Sequence, residues 1–349
     1  MSAAALGPWR VGLFTSGLWA RRADLARLTG LTPVRRFRSA RGLAAVCGWG
    51  LKPTAARARA AARAAGVPYW SAEDGFLRSL RPGDAEPPLS LVLDRTGIYY
   101  DAARPSDLEA MIRARAADPA AAARDAAPAL HALRSLGLTK YALFDAPPEA
   151  LDPLHSDPAR NVLIVDQTAG DASLAGAGAT PDSFAAMLAH AAEAHPEARL
   201  ILKTHPETRA GRRAGHFSDA ALAEAAGRHP ALDEAARAGR LIRLSERVRP
   251  KDLLARVGRV HAVCSLLGFE ALIHGVPVTC HGAAFYAGWG LTEDRAPPPA
   301  RRRPVPLEAL VAAAFADYCR WFDPESRAPI SLAAAADRLD ALAKAARAR

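Results

Sequence analysis

A cation and an imidazole stand together where an apolar run stops, in Lys203-Thr204-His205-Pro206. The run before them, from Arg199 to Leu202, has the length and composition of a buried strand, and the proline fixes the backbone just beyond it. Lys and His at such a strand end suit the phosphate of an activated donor. Ligands of open α/β sheets bind there, and positive charge stabilises a phosphate leaving group. Two other apolar runs end in the same way. The run from Asn161 to Val165 enters Asp166-Gln167-Thr168-Ala169-Gly170-Asp171, and that from Arg259 to Val263 enters Cys264-Ser265-Leu266-Leu267-Gly268-Phe269-Glu270. In the first loop Asp171, or the competing Asp166, is placed either to attack an anomeric carbon or to cap a helix starting near Ser183. In the second, Ser265 and Gly268 at a helix start suit a phosphate, and Glu270 suits ribose hydroxyls.

A fourth constellation lies earlier in the chain. Glu73-Asp74-Gly75 follows a short apolar run, and adjacent carboxylates there can serve as a general base or simply make an acidic turn. Arg78 and Ser79 are close enough to hold that pair or a substrate anion. Phe285, Tyr286 and Trp289 offer rings for stacking or for packing. Neither a Walker loop nor a GxGxxG fingerprint occurs, which disfavours ATP hydrolysis and NAD-linked redox chemistry.

These motifs need strands and helices in alternation, and the hydrophobic pattern supplies them. In the first half the expected elements are strands over Val11–Phe14, Ala44–Cys47 and Val67–Trp70, with a helix over Thr54–Ala65 closed by Gly66. A hairpin, or two short strands around a turn, is expected from Leu89–Asp94 and Ile98–Tyr100, then helical sequence from Pro105 to about Leu138, broken near Pro119 and Pro128. The Pro-rich stretch between Phe144 and Arg160 reads as a linker between domains 1–150 and 158–349. Beyond it, strands over 162–165, 200–202, 241–244, 260–263 and 276–279 alternate with helices over 183–194, 251–257 and 268–274. Two more helices follow from Leu307, the last, over 332–349, basic and Ala-rich. The fold class is α/β, with two doubly wound, Rossmann-like domains facing across a cleft.

Composition narrows the function. The chain has 349 residues, half of them hydrophobic, and a formal charge of +10 from 46 Lys and Arg against 36 Asp and Glu. That charge fits nucleic acid, an anionic membrane surface or anionic small substrates. The Arg residues are dispersed apart from tracts near Arg209–Arg213 and Arg301–Arg303, and no nucleic-acid-binding motif accompanies them, so nucleic acid is not expected as a partner. Four scattered cysteines give neither a zinc motif nor a disulfide framework, and no metal-ligand spacing is visible. With no signal-peptide pattern and no run long enough to cross a bilayer, the expected location is cytoplasmic.

The ordered set of motifs resembles one family. Gly48-Trp49-Gly50, Glu73-Asp74-Gly75-Phe76-Leu77-Arg78-Ser79, Gly97-Ile98-Tyr99-Tyr100-Asp101, Val165-Asp166-Gln167-Thr168 with Gly170-Asp171, Lys203-Thr204-His205-Pro206, Leu267-Gly268-Phe269-Glu270 and Phe285-Tyr286-Ala287-Gly288-Trp289-Gly290-Leu291 are together similar to the capsule polysaccharide synthesis family of KpsC, over roughly residues 10–325. The resemblance implies a GT-B fold and a retaining, metal-independent β-Kdo transferase that uses no cofactor. Its donor would be CMP-β-Kdo. Its acceptor would be a Kdo-terminated lipid of the lysophosphatidylglycerol type, at the inner-membrane surface beside the capsule assembly machinery. The motifs look like the family's N-terminal module, which forms the β-2,4 linkage. On this resemblance Asp171 is the nucleophile, Glu73 or Asp74 the base, and His205 the phosphate ligand. Lys203, Pro206, Gln167, Ser265, Gly268, Glu270 and Arg78 line the donor and acceptor sites. The alternatives are a transferase of another CMP-nonulosonate or a silent glycolipid-binding module.

Overall fold

A computed structural model describes residues 9–83, 86–144, 146–204, 208, 211 and 213–347. Among them the chain forms two six-stranded sheets. The first contains β1 (Arg10–Leu13), β2 (Thr32–Arg35), β3 (Ala45–Trp49), β4 (Tyr69–Asp74), β5 (Ser90–Asp94) and β12 (Cys319–Trp321), in the order β12-β5-β4-β3-β1-β2. β1 to β4 run parallel, whereas β5 and β12 are antiparallel to their neighbours. The second sheet, wholly parallel, contains β6 (Asn161–Val165), β7 (Arg199–Lys203), β8 (Leu241–Leu244), β9 (Arg259–Ala262), β10 (Val278–Cys280) and β11 (Glu293–Asp294). Its order, β8-β7-β6-β9-β10-β11, is the doubly wound one, with a switch point between β6 and β9. The connections from β6 and from β9 lead to opposite sides of that point.

The continuous apolar stretches became strands because both of their faces are covered. All five residues of β6 are buried, as are Leu200, Ile201 and Leu202 of β7. Three expectations need correction. Ile98–Tyr100 is a turn, not the second arm of a hairpin, because the Asp94 carboxylate gathers the amides of Thr96, Gly97 and Asp107 at 2.7–3.2 Å and fixes a loop instead. The helix Pro119–Leu130 runs through Pro128, its buried Ala126 and Ala129 outweighing the lost bond. β2 and β12 are additional strands; β2 is only half-buried and β12 has three residues, so neither carries a strong apolar signal.

β12 returns the chain to the first sheet. The last helix, Leu332–Arg347, packs on the helix Pro119–Leu130. Two of its cations are internally paired, Arg338 with Asp323 at 3.3 Å and Lys344 with Asp340 at 2.6 Å. The two halves share one apolar core, centred on Phe76, whose ring lies 5.2 Å from Phe285, 5.6 Å from Phe315 and 6.1 Å from Phe269. Phe285, Tyr286 and Trp289 are buried packing anchors. The Arg301–Arg303 tract is largely spent on this seam. Arg301 and Arg302 reach Glu109 of the first half at 2.6 and 2.8 Å, and Arg302 also donates to the carbonyls of Ala284 and Ala287. Among the described residues no helix is long and apolar enough to cross a membrane.

Candidate active site

The carboxyl end of β4 carries Glu73 and Asp74, which have different partners. Asp74 Oδ2 accepts from Nε of the buried Arg78 at 2.7 Å. Glu73 Oε1 accepts from Lys52 Nζ at 3.3 Å and from the Asp74 amide at 3.2 Å, and among the described residues no hydrogen bond ends on Oε2. Gly75 is required by packing: a Cβ there would lie 2.0 Å from Ser90 Oγ. The tight turn lets Phe76 enter the shared core and anchors the acidic pair from below.

β6 lies between β7 and β9, so the three polar strand ends open on one edge. The loop after β6 sorts its carboxylates. Asp166 is buried, accepts from the amides of Gln167 and His216 at 2.8 and 2.9 Å, and packs against Gly215, where a Cβ would lie 2.2 Å from Oδ2. Burial pushes its pKa up. Asp171 is half-buried and caps the short helix Ala172–Gly176 rather than one near Ser183. Its Oδ1 accepts from the Ser173 amide at 2.9 Å and the Ser173 hydroxyl at 3.0 Å, and Oδ2 accepts no hydrogen bond among the described residues. Gln167 ties the β6 and β9 loops together, its Oε1 accepting from the Cys264 amide at 3.0 Å.

The remaining donor-side residues are also built in. Lys203 is buried at the end of β7, and its Nζ donates to the Thr204 carbonyl at 3.1 Å. Ser265 caps the helix Leu266–Ile273. Gly268 lets Tyr286 approach, since a Cβ would lie 2.2 Å from the Tyr286 hydroxyl, which donates to the Ser265 carbonyl at 2.7 Å. Glu270 reaches the first half, accepting from the Thr139 hydroxyl, and burial raises its pKa to about 7. His205 and Pro206 lie outside the described residues.

The two halves meet at this edge. Gly176, at the end of the helix that Asp171 caps, fits against the backbone of Tyr100 and Asp101, and its carbonyl accepts from the Ala102 amide at 2.8 Å. Tyr100 in turn accepts from the Leu51 amide at 2.9 Å, and a Cβ on Gly50 would touch both the Tyr100 hydroxyl and Glu73 Oε2. Burial, then Glu73 and Asp171, push the Tyr99 and Tyr100 hydroxyls up. Lys140 lies in the same field. Burial alone would lower its ammonium, but Tyr141, Glu73, Asp74 and Asp171 outweigh that, and its pKa is raised.

Lys140 and Lys52 were not singled out from the sequence, although a signal existed. Only five of the 46 basic residues are lysines, and Lys52, Lys140 and Lys203 all stand at this edge. A compact, strongly hydrated point charge differs from a planar guanidinium, so the rarity of lysine in an Arg-rich chain was the signal.

The sequence profile of the capsule polysaccharide biosynthesis protein family matches residues 44–142 and 138–321, most of the chain. The chain belongs to that family. LipA of Neisseria meningitidis serogroup A, a capsule polysaccharide modification protein, is 37% identical over 83% of this chain. LpsZ of Rhizobium meliloti, a lipopolysaccharide-processing protein, is 36% identical over 78% of it. The chain spans about two fifths of the length of LipA, which it covers by 40%, and 58% of LpsZ. Among solved structures, the β-Kdo 2,4 transferase of Thermosulfurimonas dismutans KpsC superposes with a TM-score of 0.83 at 34% identity, over 96% of this chain and 99% of that one. The β-Kdo 2,7 transferase of the same KpsC gives 0.67 at 27%, over 95% and 99%. Membership of this KpsC-type capsule family is therefore secure along almost the whole chain.

Proposed function

We propose that the chain is a retaining β-Kdo transferase of GT-B architecture, moving Kdo from CMP-β-Kdo onto a Kdo-terminated glycolipid of capsule synthesis. One observation carries this reading: Asp171 and Glu73, from opposite halves, converge on one edge, where the helix that Asp171 caps meets Tyr100 and both carboxylates act on Lys140. Asp171 Oδ2 attacks the anomeric carbon, and the bond from that carbon to the CMP phosphate oxygen breaks. Lys203, with His205, neutralises the departing phosphate, so CMP leaves without needing a proton. The acceptor hydroxyl then gives its proton to Glu73 and attacks the glycosyl-enzyme from the opposite face, expelling Asp171. Two inversions give net retention.

The higher likeness to the 2,4 transferase than to the 2,7 transferase supports a β-2,4 product. Arg78 positions the acidic motif through Asp74, whereas Gln167, Ser265 and Gly268 shape the donor loops and the buried Glu270 ties the second half to Thr139. The excess of positive charge favours anionic donor, acceptor and membrane surface alike, and a peripheral place at the inner membrane, beside the capsule assembly machinery, follows from that preference. The test is incubation with CMP-Kdo, generated in place, and a synthetic Kdo-terminated acceptor, with linkage read by NMR. One added β-Kdo at O4, with a glycosyl adduct on the Asp171 peptide in the absence of acceptor, is the expected result. Absence of product from folded protein on both acceptor linkages would overturn the reading.

A further inference from the structure

Behind the second sheet, away from the carboxylates, three histidines from separate elements face one another: His190 of the helix Pro181–Ala194, His261 of β9 and His281 just after β10. Each offers a ring nitrogen, and the three nitrogens lie within 4.8 Å of one another. His261 Nδ1 and His281 Nε2 are 3.2 Å apart. The ring centroids form a near-equilateral triangle with sides of 5.5, 5.4 and 5.4 Å. Imidazoles sharing a tetrahedral Zn²⁺ at about 2.0–2.1 Å have ligand nitrogens about 3.3 Å apart and ring centroids about 5.2 Å apart. The triangle therefore has the dimensions of a three-histidine centre.

Hydrogen bonding alone leaves this cluster incomplete. A neutral imidazole has one N–H, so His261 can donate to one neighbour and accept from the other, linking His195, His261 and His281. That chain leaves His190 Nδ1 buried with no partner among the described residues. A cation bound by all three rings would complete the cluster. It would also set the outer layer: with His261 Nδ1 on the metal, its Nε2–H donates to His195 Nε2, 3.4 Å away, as metal-bound histidines commonly do. Charges around the cluster balance, with Arg259 and Arg295 against Glu193 and Glu293, and Arg259 is already paired with Glu293 at 3.0 Å.

We propose that His190, His261 and His281 form a binding site for a divalent first-row metal, Zn²⁺ by preference, with water in the fourth position. An all-imidazole donor set selects such a metal over Mg²⁺ or Ca²⁺, which require oxygen ligands. The ion would clamp the helix Pro181–Ala194 to β9 and β10. It would also brace the active site, because the Ala283 amide, two residues after His281, holds the Ala177 carbonyl at 3.0 Å, at the C-terminal end of the helix that Asp171 caps.

The experiment uses the full chain without a polyhistidine tag, stripped by chelator and titrated with Co²⁺. One equivalent should develop the visible d–d absorption of four-coordinate cobalt, Zn²⁺ should displace it mole for mole, and Zn²⁺ should raise the unfolding temperature. His190→Gln and His281→Gln should each abolish the cobalt spectrum, and His195→Gln should weaken binding by roughly 10- to 100-fold. His274→Gln, outside the cluster, should change nothing. Should His281→Gln not fold, the half-buried His190 decides alone. Folded wild-type protein that takes up no cobalt, or a spectrum unchanged in His190→Gln, overturns the proposal and leaves a hydrogen-bonded histidine cluster.

Discussion

Each half of the molecule places two carboxylates near one strand end and uses them differently. In the first half Asp74 is paired with a buried guanidinium, whereas the buried Glu73 pairs with Lys52, whose side chain is 49% exposed. In the second, Asp166 is buried and accepts from backbone amides, whereas the half-buried Asp171 caps a helix. The lesson is a division of labour. One carboxylate is held by its loop, Asp74 by Arg78 and Asp166 by two amides, and its neighbour is the one proposed to react. The halves differ in what surrounds that neighbour: Lys52 pairs with Glu73, whereas among the described residues the hydrogen bonds to Asp171 come from the amide and hydroxyl of Ser173.

The comparison breaks most decisively at Asp171. Asparagine keeps the cap, so Asp171→Asn should fold like the wild type yet lose transfer by more than about 10³-fold in a CMP-release assay. Asp166→Ala should do the opposite and lower stability by about 1–3 kcal/mol in denaturant unfolding, because two buried amides lose their acceptor. In the first half, Glu73→Gln should lower kcat by about 10²–10⁴-fold while stability stays within about 1 kcal/mol, its partner Lys52 being exposed. Asp74→Ala removes one partner of the buried Arg78 and should cost about 1–3 kcal/mol. Equal stability of the Glu73 and Asp74 variants would erase the distinction drawn between them.

Lys140→Met tests whether one cation serves both halves. It should reduce kcat by about 10²-fold, and steady-state kinetics with an intact unfolding curve is the check. The smallest effect concerns Glu270 and depends on pH. A folded-state pKa of about 7 lies above the ordinary 4.5, so the folded protein binds the extra proton and wild-type stability falls as pH rises from about 4.5 to about 7. Glu270→Gln retains an acceptor for Thr139 without that loss. Its advantage in unfolding temperature should be absent at pH 4.5 and grow to its full size above pH 7, at most about 3 kcal/mol.

Much of this was legible in the sequence where the signal was local. The runs at β6, β7 and β9, and the polar residues that end them, could be read because a strand buried on both faces must be continuously apolar and must stop where charge begins. Asp171, Glu73 and Asp74 were singled out as carboxylates that follow apolar runs, and the roles proposed for them come from the family resemblance. The supposed hairpin at Ile98–Tyr100 failed because Asp94 offered the amides of its own loop a better acceptor than a second strand could. Lys140 escaped notice because it follows a helical stretch and has no motif of its own.

The sequence by itself determined the alternation of strands and helices, the strand ends that carry chemistry, and the family, all of which depend on the order of residues along the chain. Only the tertiary structure decided how each of two neighbouring carboxylates is partnered, that Lys140 lies in the field of both halves, that Arg301 and Arg302 lock the seam, and that three dispersed histidines form one triangle. The physical reason is range. Strand burial and helix capping act between near neighbours, whereas hydrogen-bond satisfaction, electrostatic fields and metal-ligand geometry act between whatever side chains the packed sheets bring within a few ångströms.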